Sequence, residues 1–212
     1  MLSELRIIEA AAAVADSGGI GAVSMRRVAK ELGVEAMSLY HHVASKEALL
    51  DSLVDWVFEQ IATPDVDDPW REAMVVRSRS ARTVLSQHPW ALGMLNSRPT
   101  PGSPLLVHHD RVLGCLLSSG FTATLATHAF SALDAYVYGF AITEANLPFP
   151  PGEGAEEAFA IEVAAPAEEY PHIARTFQEV VKDKHYSFAD EFDYGLDLIL
   201  DGFAERLQHL DP

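Results

Sequence analysis

A chain of 212 residues, 49% of them hydrophobic, is long enough for one medium domain or a small domain joined to a larger one, with ample material for a buried core. The formal net charge of −16, taken as a sum, argues against a nucleic-acid partner, because phosphate binding needs positive charge. A single cysteine, Cys115, excludes an intrachain disulfide and suits a reducing cytoplasm, and no apolar run approaches the ~18 residues of a membrane span.

The first expected helix covers about 3–17, with Leu5, Ile8, Ala12 and Ala15 facing inward and Gly18-Gly19 ending it. Glu4, Arg6 and Glu9 interrupt this segment, so it does not read as a signal peptide. Residues 24–46, SMRRVAKELGVEAMSLYHHVASK, follow as two short helices joined by a tight turn. Ser24 is a good N-cap, since its hydroxyl can accept an N–H that the first helical turn leaves unpaired. Val28, Ala29 and Leu32 fall on one apolar stripe, and Gly33 stands where the chain must leave the helix. The second helix, about Glu35 to Val43, turns Leu39 and Val43 inward and offers Ala36, Met37, Ser38, Tyr40, His41 and His42 outward. Two helices of this size meeting at a glycine form a helix-turn-helix, whose second helix enters the DNA major groove. Ser45 caps the next helix, which runs to about Ala62 on Leu49, Leu50, Leu53, Val57 and Ile61.

The segment TPDVDDP, 63–69, is a polar, proline-marked linker and sets the expected boundary between a 1–62 DNA-binding domain and a 63–212 domain. Helices are then expected at about 70–87, 90–95, 104–118 and 122–146, one or two within 155–185, and a last one at 188–209. The apolar spacing is helical throughout, which makes the fold class all-α. In the last helix, Gly195 and Gly202 are seven residues apart and share a face that another helix can approach closely. Asp193, Asp197, Asp201 and Glu205 form an exposed acidic face.

The distribution of charge qualifies its sum. Residues 24–46 balance to +2, whereas residues 63–212 balance to −12, and repulsion from the latter is screened beyond roughly 8–10 Å at physiological salt.

At LGVEAMSLYHHVASKEALLDSL, 32–53, the chain resembles the tetracycline-repressor (TetR) family of bacterial regulators, with its glycine turn, its recognition helix and its His-x-x-x-Lys before an apolar helix. SRPT at 97–100, LLSSGF at 116–121 and YGLDLILDGFAERL at 194–207 are similar to the tetracycline-repressor branch. The resemblance implies a homodimer in which the 122–146 and 188–209 helices pair across a two-fold axis through Gly195, Ile199 and Gly202. It also implies a palindromic operator, a small-molecule effector inside the larger domain, and phosphate contacts from Tyr40 and Lys46. On chemistry, Ser38, Tyr40 and Lys46 suit phosphates, Arg26 and Arg27 open the helix that crosses the backbone, and Ala36, Met37 and His41 face base edges beside His42.

Candidate ligand contacts are His88, Trp90, Met94, His128, Tyr136 and Phe140. In the tetracycline-repressor branch a histidine three residues before the motif matched by 97–100 binds magnesium, and Met94 stands at that position here. A thioether is a poor ligand for magnesium, so the expected effector is apolar or aromatic, with no metal or cofactor. His108-His109-Asp110 reads as a solvated helix face, because adjacent helical residues point ~100° apart. Cys115 reads as a buried structural thiol. An activator, a regulator without ligand, or an all-α enzyme using the His-rich region stand as alternatives, although no nucleophile motif or phosphate loop supports catalysis.

Overall fold

The computed structural model describes residues 1–94, 102–149, 154–162, 166–182 and 186–210, and the 97–100 motif lies outside them. The described residues are helical or irregular, with no strand among them. They form two compact units, residues 1–142 and 143–212.

In the first unit, α1 (Glu4–Gly18), α2 (Met25–Leu32), α3 (Ala36–Leu39) and α4 (Lys46–Glu59) come first. α5 (Trp70–Gln87), a 3₁₀ turn at Pro89–Gly93, α6 (Ser103–Ser118) and α7 (Ala123–Ala145) follow, the last turn of α7 falling past the unit boundary. Three serines start three of these helices. Ser3 accepts from the amide of Arg6, Ser24 from Arg27 and Ser45 from Ala48, at 3.4, 3.3 and 3.1 Å. α1 packs on α2 and α4, α2 on α3, and α4 also on α6, so α4 is buried along two adjacent stripes. Leu49, Leu53 and Val57 make one stripe, Val54 and Phe58 the other, and Ile61 is buried just past the helix end.

The inward face of α1 differs from expectation. Ile7, Ala10, Ala11, Ala12, Val14 and Ala15 are buried, whereas Leu5 is exposed and Ile8 half-buried. A run of alanines gives the helix no bulky stripe to orient it, and its neighbours decide the rotation.

The linker 63–69 is held along α6 and α5. The Ala62 amide donates to Ser80 Oγ at 2.9 Å, Arg111 pairs with Asp65 at 2.7 Å, and the Cys115 thiol points to the carbonyl of Asp68 at 3.6 Å. Cys115 is buried, and burial pushes its thiol above the ordinary value, so it stays protonated and unreactive.

The second unit holds α8 (Ala155–Glu162), α9 (Pro171–Thr176) with a π turn at Phe177–Val181, and α10 (Glu191–Gln208). Glu156 of α8 accepts the Phe188 amide at 2.9 Å and faces Ser187, which fixes the entry to α10. In α10, Phe192, Leu196 and Leu200 are buried, Gly195, Ile199 and Gly202 are half-buried, and Tyr194 and Leu198 stand exposed. The Asp193, Asp197, Asp201 and Glu205 stripe is exposed.

Candidate nucleic-acid interface and effector cavity

The turn between α2 and α3 is built from the backbone upward. Gly33 adopts φ +66°, ψ 32°, a left-handed conformation that side chains resist. Its amide bonds to Lys30, and the Val34 amide reaches back to the carbonyl of Ala29 at 3.0 Å, closing the end of α2. The chain leaves in the direction that carries Leu39 and Val43 into the core, where Val28 is buried too.

The second helix of the motif is shorter than its sequence suggests. Regular α-helix ends at Leu39, and residues 40–42 continue as turns, with His42 and Val43 both donating to the carbonyl of Leu39 at 2.9 Å. Nothing buried follows Leu39 until Val43, so packing does not require another regular turn. The short element still presents its polar side. Met37 is 72% exposed and Tyr40 46%. Arg26, Arg27, His41, His42 and Lys46 are exposed as well, while Ala36 and Ser38 are half-buried. The Arg27 guanidinium lies beside Gly18, where a Cβ would stand 3.6 Å from it, at the negative end of α1. Lys46 opens α4, and the Glu47 carboxyl beside it is held below its ordinary value by a backbone N–H and by Ser45.

A second constellation lies in the α5–α6–α7 core. Arg77 of α5 is 2% exposed. Its Nε donates to His108 Nε2 of α6 at 3.0 Å, and its Nη2 pairs with Asp134 of α7. Asp134 accepts in turn from the hydroxyl of Tyr138 at 3.2 Å, and the Arg77 cation faces the Phe130 ring at 5.7 Å. Burial, Arg77 and His109 together push His108 down to about 3, so it is neutral. Because Nε2 accepts, the proton sits on Nδ1, which faces Thr63 Oγ1 of the linker at 3.5 Å. Burial also lowers His109, whose ring stands edge-on to Phe130 at 4.6 Å, and raises the Tyr138 phenol well above its ordinary value.

The expectation that His108-His109-Asp110 is a solvated face is therefore corrected. His108 is buried, His109 is half-buried, and Asp110 alone of the three is exposed. His108 shares the inner stripe of α6 with Val112, Cys115 and Leu116. Its partners lie 31 and 45 residues away in sequence, where local periodicity does not reach. No local motif in the sequence marks Arg77 or Asp134. The available signal was register: Arg77 sits on the stripe of Met74, Ser78, Ala81 and Leu85 that α5 buries.

Beneath the linker lies a cavity of about 260 Å³ lined by Ala62, Thr63, Pro64, Asp68, Pro69, Glu72, Ala73, Val76 and Arg77. The six expected ligand contacts fall elsewhere, and none lines it. His88 Nδ1 and Trp90 Nε1 both meet Asp16 Oδ1 of α1, at 2.8 and 2.7 Å, and His88 stands edge-on to Trp56 at 5.0 Å. These two residues tie the end of α5 to α1 and α4. Tyr136 and Phe140 adjoin each other on α7 at 6.0 Å, with Arg82 over Phe140 at 4.8 Å. His128 is exposed and Met94 half-buried.

Residues 63–207 match the family described as "Tetracyclin repressor-like, C-terminal domain", and residues 7–53 match "Bacterial regulatory proteins, tetR family". The chain belongs to the TetR family of transcriptional regulators. It is 30% identical, over 96% of its length and 85% of the relative's, to an HTH-type transcriptional regulator of Saccharopolyspora erythraea. It is 27% identical to the class A tetracycline repressor of transposon 1721 from Escherichia coli, over 94% of this chain and 89% of that one. The crystal structure of the Streptomyces coelicolor TetR-family protein ActR in complex with actinorhodin superposes with a TM-score of 0.73 at 26% identity, covering 98% of this chain and 99% of that one. TetR-family regulators bind DNA, take small-molecule effectors and form dimers, and their defining activity is regulation rather than catalysis. Among the described residues, no helix is long and apolar enough to cross a membrane.

Proposed function

We propose that this TetR-family chain is a homodimeric cytoplasmic repressor that leaves a palindromic operator when a small molecule binds its larger domain. The observation that carries the reading is the capped, glycine-turned motif whose exposed side chains, Met37, Tyr40, His41, His42 and Lys46, stand together on a local surface of positive balance. Tyr40, Lys46, Arg26, Arg27 and Ser38 take phosphates, and Ala36, Met37 and His41 read base edges. The functional division falls at the linker 63–69, where the segment that matches the C-terminal family description begins, although α5 and α6 pack with the N-terminal helices in one compact unit. Dimerisation uses the face of α10 where Gly195, Ile199 and Gly202 adjoin exposed Tyr194 and Leu198.

The effector binds in the cavity beneath the linker, against Arg77 and the apolar Ala73 and Val76 of α5. Met94 in place of a metal-binding histidine favours an organic molecule that needs no magnesium, and ActR's complex with actinorhodin is a precedent in a relative. A ligand lowers DNA affinity only by preferring a form whose two recognition elements miss the ~34 Å spacing of adjacent half-sites. α4 is the natural lever, since it packs on α1 at the DNA side and on α6 beside the cavity.

Operator binding tests the reading. Lys46→Ala is expected to weaken binding to all sequences and to reduce the salt slope by about one unit, while His41→Ala changes preference at particular base pairs. An unchanged salt slope for Lys46→Ala refutes the phosphate assignment. A requirement for magnesium in ligand release, shown by titration with and without EDTA, refutes the reading of Met94.

A further inference from the structure

Arg77 is buried, yet one of its nitrogens is unsatisfied. Nε is used by His108 and Nη2 by Asp134, but among the described residues Nη1 has no partner and is sealed from water. Such a group forfeits its hydration and gains no bond in return, which is costly for a cation. Arg77 is also among the residues that line the 260 Å³ cavity beneath the linker, with Nη1 itself just behind the accessible wall. What that wall lacks is an acceptor.

The surrounding charge decides which acceptor. Asp134 already pairs with the Arg77 cation, and Asp68 and Glu72 add two carboxylates to the lining. An anionic ligand placed there meets like charges on both sides. A neutral carbonyl-type oxygen carries lone pairs and no net charge, so it can accept an N–H of Nη1 without that repulsion. The same carboxylates accept hydrogen bonds from hydroxyl or amine groups, and Ala73 and Val76 offer apolar wall between them.

We infer that the cavity takes a neutral molecule that presents a carbonyl-type oxygen to Arg77 and hydroxyl or amine donors to Asp68 and Glu72. The inference rests on reading this cavity as the effector site. His108 and Asp134 are positioning residues: they hold the guanidinium plane so that Nη1 is the corner left for the ligand. Reaching it requires the cavity wall to give slightly, a cost that a charge-assisted bond offsets. At about 260 Å³ the space lies just below the usual ligand pocket range of about 300–1,000 Å³, which favours a small ring system over a large one.

The test uses three probes of matched size on the full-length protein: 6-hydroxy-1-tetralone, 5,6,7,8-tetrahydro-2-naphthol, which lacks the carbonyl, and 1-naphthoate. Calorimetric titration is expected to show the ketone binding about tenfold more tightly than the carbonyl-free phenol, with the naphthoate weaker than both. In wild-type protein, nitrogen NMR of the Arg77 guanidinium is expected to shift with the ketone alone. Ala73→Leu, which narrows the cavity one turn before Arg77 on α5, is expected to abolish ketone binding. Equal affinity for ketone and phenol, preference for the naphthoate, ketone binding undiminished by Ala73→Leu, or no ketone binding at millimolar concentration overturns the inference. The two readings fail separately. Carbonyl-selective binding that leaves operator affinity unchanged refutes the effector reading alone. A compound that releases operator without contacting Arg77 refutes only the present inference.

Discussion

Residues 24–46 and the α5–α6–α7 core handle charge in opposite ways. On the helix-turn-helix segment the cations Arg26, Arg27 and Lys46 are exposed, as is the apolar Met37. In the core Arg77 is enclosed with Asp134, and the neutral His108 accepts from it. The first region keeps its cations hydrated and available for a partner, so little folding free energy depends on them. The second withdraws a cation from water and must satisfy it internally, so folding depends on each member of the set. One surface is therefore free to change with the operator, while the other constrains the helices that surround the cavity.

The sharpest way to break this comparison is to remove the buried cation. Arg77→Met leaves the Asp134 carboxylate, its side chain 14% exposed, without its counter-ion. Removing one partner of a buried pair costs about 3–5 kcal/mol. Urea denaturation is expected to show that loss for Arg77→Met and a change within about 0.5 kcal/mol for Lys46→Ala. Similar stabilities for the two variants would mean that the core ion pair does not hold the fold.

A pH titration sharpens the same contrast. Burial, with Arg77 and His109, lowers the folded-state pKa of His108 to about 3, against 6.5 for an ordinary histidine. Its contribution is therefore fully present above pH 6.5 and is lost as pH falls from 6.5 toward 3, because the unfolded chain takes up the proton first. Between pH 6.5 and 5 the loss amounts to about 2 kcal/mol. His109, also lowered, adds to it in the same direction, while Arg77 disfavours and Asp134 favours its protonation. His108→Gln is expected to flatten the pH dependence of Tm over this window by most of that amount. An unaltered slope would show that His108 is not held neutral.

These differences also mark what the sequence made legible. The serine caps, the glycine turn and the limits of α5 and α7 follow from local rules, and each stands within a residue or two of its expected place. Ser24 and Ser45 cap their helices as expected, accepting the amides of Arg27 and Ala48. Local rules fail where the decision is made by a distant partner. α1 rotates away from Leu5 because α2 and α4, not its alanines, select the buried face. The motif's second helix stops at Leu39 although its residues tolerate helix, since only Val43 must return to the core. The Arg77 cluster draws on α5, α6, α7 and the linker, so no single window contains it. His88 and Trp90 look like pocket residues by composition, yet Asp16, more than seventy positions earlier, claims both.

The smallest expected effect probes the exposed side of the comparison. Met37 is a large apolar side chain left 72% exposed at the motif's tip. If it were part of the core, truncating it would cost about 2–5 kcal/mol. Placed in water, Met37→Ala removes little that folding had gained, and alanine is the better helix former. Thermal unfolding is therefore expected to change by no more than about 0.5 kcal/mol, with either sign. Operator binding is the complementary measurement. A side chain that touches a thymine methyl loses affinity for that base pair alone, so Met37→Ala should narrow the difference between operators that carry and lack the thymine. A marked loss of stability would instead place Met37 in a contact within the folded protein, and the contrast between an adaptable surface and a constrained interior would no longer include it.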